Sequence, residues 1–272
     1  MLDIFSYEFM QTAFIVGILI AIIIPMIGVV VVLRHLSMMG DSLSHVSLAG
    51  VAAGLIGGIN PVLGAVLAAI AGALCIEVIR KKIPDFSEVS IAIVSATGVG
   101  LAGVLSGFVN KSADFNAFLF GSIVAISDQE FYAVIGLAVV IILVFALFWR
   151  EFELLAFDEK LARLSGVPVS LINFILTILI ALAVAISSRA VGALIVSGIM
   201  VVPVVNGILV AKGYKQTVIF SVIFALTSTV IALYASFYFN LKPGGTIILI
   251  SVAILIISYI VTYFLNRAKS KR

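Results

Sequence analysis

Nearly the whole chain is taken up by apolar stretches of bilayer length, and the short joints between them hold most of the charge. The stretches fall at about residues 12–33, 41–58, 60–80, 87–108, 117–127, 128–149, 168–186, 190–210, 216–239 and 244–265. A helical span needs ~20 mostly apolar residues, so 117–127 is too short to cross and is expected to be re-entrant or interfacial. Nine spans remain, or eight if the short, glycine-rich 41–58 does not cross fully. With 63% hydrophobic and 11% charged residues and a mean hydropathy of +1.33, a soluble core could not absorb this much apolar side chain in 272 residues. The fold class is therefore all-α, a polytopic helical membrane protein of about 8–9 transmembrane helices. With no repeat, low-complexity tract or soluble segment, 1–272 reads as a single transmembrane domain, with the lipid bilayer as its surroundings. The N-terminal region carries Asp3 and Glu8 rather than a basic segment, so the first stretch reads as a retained span and not a cleaved signal.

The basic residues give an expected orientation. With nine spans and a cytoplasmic C-terminus, the inside joints hold Arg34, Arg80, Lys81, Lys82, Arg150, Lys160, Arg163, Lys212, Lys215, Arg267, Lys269, Lys271 and Arg272, which is 13 of the 16 Lys and Arg. Only Lys111, Arg189 and Lys242 fall outside. Because inside loops carry the excess of Lys and Arg, the N-terminus is expected outside the cytoplasmic membrane and the C-terminus in the cytoplasm.

One segment interrupts the apolar pattern with chemistry: Met39-Gly40-Asp41-Ser42-Leu43-Ser44-His45. On a helix, Asp41 and His45 at i and i+4 share a face and could present a carboxylate oxygen and an imidazole nitrogen to one ion. Gly50, Gly54 and Gly58 form a stripe on roughly the opposite face, and small residues at that spacing let membrane helices approach closely. A plainer reading stays open, in which Asp41 only caps the helix after Gly40 and His45 bonds locally. Ionisable residues within spans are costly and usually mark an ion or substrate path. His35 reads as a solvated interfacial residue, and Glu77 as an i,i+3 partner of Arg80. Asp41 lies only seven residues after Arg34. Either the pair sits near the inner end of a path, or Leu36–Gly40 is non-helical backbone sheltered inside the protein.

The joint 151–167 has a character of its own. Asp158 suits an N-cap, Glu159–Leu164 reads as a short helix, Gly166 as its stop and Pro168 as the start of the next span. Such a helix either lies at the interface or docks a cytoplasmic partner, with Leu161 and Leu164 three apart on one face.

Several chemistries are missing. The chain has no Gly-x-x-x-x-Gly-Lys-Ser/Thr phosphate loop and no His-Glu-x-x-His. Ser42-Leu43-Ser44-His45 alone supplies neither the oxyanion hole nor the base geometry of an intramembrane hydrolase. The sole cysteine, Cys75, excludes an intrachain disulfide framework and a Cys-rich metal site, and reads as a small apolar residue in a span. No enzyme chemistry is expected of the chain itself. No nucleic-acid partner is expected.

Met39-Gly40-Asp41-Ser42-Leu43-Ser44-His45 followed by Gly50-Val51-Ala52 strongly resembles the signature of ABC transporter permeases for zinc, manganese and iron. Other segments agree in order: Phe120-Gly121-Ser122-Ile123, Phe157-Asp158 through Gly166-Val167-Pro168, Ala190-Val191-Gly192-Ala193-Leu194-Ile195-Val196 with Val202-Pro203, and Pro243-Gly244-Gly245-Thr246-Ile247. The resemblance runs from about residue 12 to 265. It departs at Val204-Val205-Asn206, where the family often has small residues, and at Asn240, where an aspartate is common. It implies an importer permease with Asp41 and His45 lining the metal route, and Asp158, Leu161, Leu164 and Gly166 coupling the chain to its ATPase. The implied partners are a second copy of itself, cytoplasmic ATP-binding subunits that hydrolyse the ATP, and an extracellular metal-binding protein. No permanently bound cofactor is implied. The cargo is Zn2+, or Mn2+ or Fe2+, and the Ser47-Leu48-Ala49-Gly50 variant looks most like the zinc branch. A proton-coupled secondary transporter of a cation, working through Asp41 and His45, is the alternative.

Overall fold

The computed structural model describes residues 6–83, 87–109, 112–121 and 127–269. Asp3, Lys111, Ser122, Ile123, Lys271 and Arg272, which entered the expectations above, lie outside them. Among the described residues the regular structure is helical: α1 Glu8–Leu33, α2 Met38–Gly57, α3 Pro61–Lys82, α4 Ser87–Ser106, α5 Ser112–Phe120, α6 Asp128–Leu147, α7 Trp149–Phe157, α8 Glu159–Leu164, α9 Val169–Ala190, α10 Ala193–Val210, α11 Tyr214–Phe239 and α12 Pro243–Lys269. Eight helices (α1, α3, α4, α6, α9, α10, α11 and α12) are long and apolar enough to cross a membrane. The long helices match the sequence stretches to within a few residues, because capping residues and glycines fix their ends.

Asn60 caps α3 by accepting from the Val62 N–H at 2.8 Å, with Pro61 in the first turn. Ser127 and Glu130 form a capping box at the start of α6. Asp158 caps α8 by accepting from the N–H groups of Lys160 and Leu161, and Gly166, with φ +83°, closes that helix as expected. The paired bonds from Gly166 N to Arg163 O and from Val167 N to Ala162 O make a Schellman motif. The same pattern ends α1, where His35 N bonds Val32 O, Leu36 N bonds Val31 O, and His35 takes φ +57°. His35 is exposed, as expected, but it is also the turning residue between α1 and α2.

Two short helices depart from the reading of the sequence. The segment 149–157 is a helix, α7, which buries Phe152, Leu155 and Ala156 on one side. Its charged residues Arg150, Glu151 and Glu153 lower the local hydropathy and hide the amphipathic 3–4 spacing. The expected re-entrant stretch 117–127 is only partly described, and the helix at its start, α5, begins earlier and packs against α2, α9 and α10.

The remaining long helix, α2, has 20 residues, a length of ~30 Å. Leu36, just before it, shares a cleft with Arg34, Arg80 and Asn173, whereas Val62, just after it, lies with Glu130 and Arg189 at the opposite end of the bundle. α2 thus runs the length of the bundle and is packed by α3, α4, α9 and α10. The approach depends on missing side chains. A Cβ on Gly50 would overlap the Gly64 carbonyl oxygen of α3, and one on Gly98 of α4 would stand 2.7 Å from Val46 N and 3.0 Å from His45 C. Gly54 also faces the start of α3, but Gly58 does not extend the stripe: it is the left-handed C-cap of α2, with φ +67°.

Replacing Gly50 by Leu should therefore force α2 and α3 apart and destabilise the protein by about 2 kcal/mol or more. Gly136→Ala on α6, where an added Cβ meets nothing within 4 Å, should leave the melting temperature in detergent unchanged or slightly raised. Equal melting of the two variants would show that the α2–α3 approach does not limit stability.

Candidate metal site and docking face

Met38 opens α2, so Asp41 lies ~5 Å and His45 ~11 Å along the helix axis from its start. The pair therefore sits toward the Arg34 end of the bundle, and Met38–Gly40 is helical, which removes the reading of Leu36–Gly40 as irregular backbone. Ser37, not Asp41, is the N-cap residue. The Asp41 carboxylate near the helix N-terminus is favoured by the helix dipole. His45 Nε2 stands 3.4 Å from Asp41 Oδ2, with 21% and 33% of the two side chains exposed. The rest of the first three turns of α2 is held in place: Ser42 Oγ donates to Ile91 O of α4 at 3.1 Å, Ser44 Oγ donates to Gly40 O, and Met39 and Leu43 are buried. Asp41 and His45 are left as adjacent oxygen and nitrogen donors on the one partly open face, shared with exposed Met38. Among the described residues no third His, Cys, Asp or Glu joins them in a group able to hold a metal. The pair thus brings together two candidate donors, one oxygen and one nitrogen.

At the Arg34 end, charges meet around a cleft of about 410 Å3. Arg34 Nη1 donates to Asn173 Oδ1 of α9 and Nη2 to Glu159 Oε2 of α8, both at 2.6 Å. Burial lowers the Arg34 pKa from the usual guanidinium range; the neighbouring Arg80 charge adds to this, and Glu159 and Glu77 oppose it. Glu77 is buried and pairs with Arg80 at 2.6 Å, as its spacing implied, and with Lys81 at 3.6 Å. Beside the cleft, α8 turns Ala162 inward and leaves Leu161 57% and Leu164 87% exposed. Of the residues expected to couple the chain to a partner, Asp158 and Gly166 shape α8, while Leu161 and Leu164 are its free surface.

At the opposite end, Glu130 does two things. Its Oε2 accepts from Ser127 N at 2.9 Å within the capping box, and its Oε1 accepts from Arg189 Nε of α9 at 3.0 Å. The Arg189 guanidinium also lies 4.6 Å from the Phe118 ring centroid of α5, a cation–π contact. Next to it three chain segments approach one another closely through main chain, with Lys242 Nζ also 4.1 Å over the Phe120 ring. Cβ atoms on Gly121 and Gly244 would each overlap the main chain of Val191, and one on Gly192 would stand 2.5 Å from Phe120 C. Asn240, where the resemblance expects an aspartate, is the left-handed cap of α11 with φ +51°, a conformation that asparagine tolerates. The roles of Arg34, Asn173, Glu130 and Arg189 are absent from the sequence reading. Asn173 was visible as a lone amide in an apolar stretch, and Ser127-x-x-Glu130 as a capping box, but their partners 139 and 59 residues away were not.

A model of the ABC 3 transport family matches residues 6–262. The chain belongs to the ABC 3 transport family. Within it, the chain is similar to the "Probable metal transport system membrane protein" of Treponema pallidum (strain Nichols), at 33% identity over 252 residues, 93% of this chain and 95% of that protein. It is similar to the manganese transport system membrane protein MntC of Listeria monocytogenes serovar 1/2a, at 30% identity over 255 residues, 94% of this chain and 91% of that protein. Among solved structures, PsaBC from Streptococcus pneumoniae in complex with Fab superposes with a TM-score of 0.83 at 29% identity, over 93% of this chain and 91% of that chain. The all-helical permease architecture is that of this family.

Glu130→Ala removes both the capping partner of Ser127 and the carboxylate paired with Arg189. It should destabilise the protein by about 2 kcal/mol, read as a lower melting temperature, while Gln129→Ala, at an exposed neighbour, changes it little. Unchanged melting of Glu130→Ala would mean that Arg189 is held by its other contacts.

Proposed function

We propose that this chain is the membrane permease of an ATP-binding-cassette importer that carries a divalent transition metal ion across the cytoplasmic membrane, with ATP hydrolysed by a partner subunit. The observation that carries this reading is the Asp41–His45 pair, an oxygen and a nitrogen donor 3.4 Å apart on a partly open face near the start of α2. A transport station must bind firmly enough to replace water and loosely enough to release, so two ligands per protomer suit it better than a closed four-ligand cage. A second copy of the chain would complete the site with a second pair. The metal we put first is manganese. Relatives from Listeria and from Streptococcus gordonii are named as manganese transport or import permeases, and mixed carboxylate and imidazole donors accept Mn2+ as well as Zn2+ or Fe2+. Zinc, favoured by the Ser47–Gly50 cue alone, is second. The remaining partners in this reading are cytoplasmic ATPase subunits at the basic end and an extracellular metal-binding protein at the other. That places the N-terminus outside and the C-terminus in the cytoplasm. A proton-coupled carrier gains no support from the relatives.

The test is uptake of Mn2+ against Zn2+ into vesicles holding the permease, its ATPase and the binding protein. Uptake should require ATP and favour Mn2+. Asp41→Ala and His45→Ala should each abolish most of it with the complex intact. The double variant should be little worse, since ligands of one site act as a unit. The control is His35→Asn rather than His35→Ala, because asparagine tolerates the left-handed turn. Wild-type rates in both alanine variants would remove Asp41 and His45 from the route.

For the docking helix, Leu161→Asp should place a charge where a partner groove expects an apolar side chain. It should reduce copurification of the ATPase without changing membrane insertion. Copurification at the wild-type ratio together with normal transport would make α8 an interfacial helix only.

A further inference from the structure

We propose that Arg34 is a positioning residue for transport: it ties the docking helix α8 to the turn that carries Asp41 and His45, so that movement of α8 is delivered to the metal pair. The inference rests on the permease reading above and adds a specific linkage to it. Its basis is how lightly α8 is held beyond its chain neighbours α7 and α9. The helix has six residues, and Ala162 is its one buried residue. Its ends are shaped by Asp158 and Gly166, but those bonds are local and fix no direction relative to the bundle. The Arg34–Glu159 pair does, since it joins residues 125 apart in sequence.

The other end of the pair is stiff. Arg34 is the C-cap of α1, His35 is the left-handed turn residue, and Leu36 is buried, so only three residues separate Arg34 from the start of α2. Asp41 lies one turn further on. The guanidinium is forked, with Nη2 on Glu159 of α8 and Nη1 on Asn173 of α9. A planar group bonded on both branches constrains direction as well as distance, so a displaced Glu159 pulls on the α1–α2 turn. The pair borders the open cleft of about 410 Å3, which leaves α8 room to move against α3 and α9. Glu159 has a second partner, Arg163, at 3.6 Å, but that residue is on α8 itself and links it to nothing else.

The experiment measures metal taken up per ATP hydrolysed, and the ATPase copurified, for the reconstituted complex carrying wild-type permease, Glu159→Ala, Glu159→Gln, Arg163→Ala, Arg34→Glu, Glu159→Arg, or the charge swap Arg34→Glu with Glu159→Arg. The expected result is that Glu159→Ala keeps its ATPase and hydrolyses ATP while uptake per ATP falls roughly fivefold or more. Arg163→Ala should match wild type, and the swap should recover most of the loss seen in either single reversal. If Glu159→Ala does not assemble, Glu159→Gln, which keeps the shape and removes the charge, is read by the same criteria. An uptake-to-ATP ratio within about twofold of wild type, a swap no better than its single reversals, or loss of the ATPase from the Glu159 variants overturns the inference. A wild-type complex with no ATP-driven uptake overturns the permease reading itself, and this inference with it.

Discussion

A helix that carries Asp41, His45, Ser42, Ser44 and Ser47 cannot be offered to lipid, so the bundle depends on enclosing α2. Between apolar helices in a bilayer there is no hydrophobic force to draw them together, and close packing has to supply the attraction. Here the packing is backbone against backbone. Gly50 on α2 meets Gly64 on α3, and Gly98 on α4 admits the main chain at His45–Val46. The enclosure also provides for Ser42, whose hydroxyl reaches the Ile91 carbonyl of α4. With α3, α4, α9 and α10 packed around α2, the Asp41–His45 face is left partly open.

Most of this architecture was legible in the sequence because hydropathy and caps are local signals. The nine long helices, the short α8 and the i,i+4 geometry of Asp41 and His45 all follow from spacing. The glycine stripe pointed to close helix packing, which the structure shows against α3 at Gly50 and Gly54 but not at Gly58, because a glycine one residue past a helix end serves the turn and not the contact. α7 escaped because alternating charge hides an amphipathic helix from a hydropathy reading. Arg34 was read as a topological marker of the inner surface, which is a statement about average loop charge. Its partners, Glu159 and Asn173, are more than a hundred residues away, and no local pattern encodes that pairing. Asn206 is a different case. It marks a departure from the family pattern, it is buried, and neither polar atom of its amide has a partner among the described residues. Nothing in the structure explains it.

The two ends of the bundle are built from different materials. The Arg34 end is a set of ion pairs around an open cleft, with Glu77 and Glu159 each shared between two cations. Such pairs can be exchanged one at a time, and water in the cleft can stand in for a lost partner. At the opposite end the described residues include a partly buried pair, Glu130 with Arg189, set against an aromatic ring and beside close main-chain contacts. In the permease reading proposed above, the Arg34 end is the one that would receive mechanical input and the opposite end the one that would stay closed until it arrives.

The main-chain contacts of Gly121, Gly192 and Gly244 also bear on time. A seal made by side chains can open by rotamer flips, in picoseconds to nanoseconds. Here the atoms in the way belong to the backbone of Val191 and Phe120, and they leave only when α5, α10 or α12 shifts as a body. Collective displacements of helices occur in microseconds to milliseconds. In the permease reading proposed above, opening at that end would therefore be slow on the scale of an ion's diffusion.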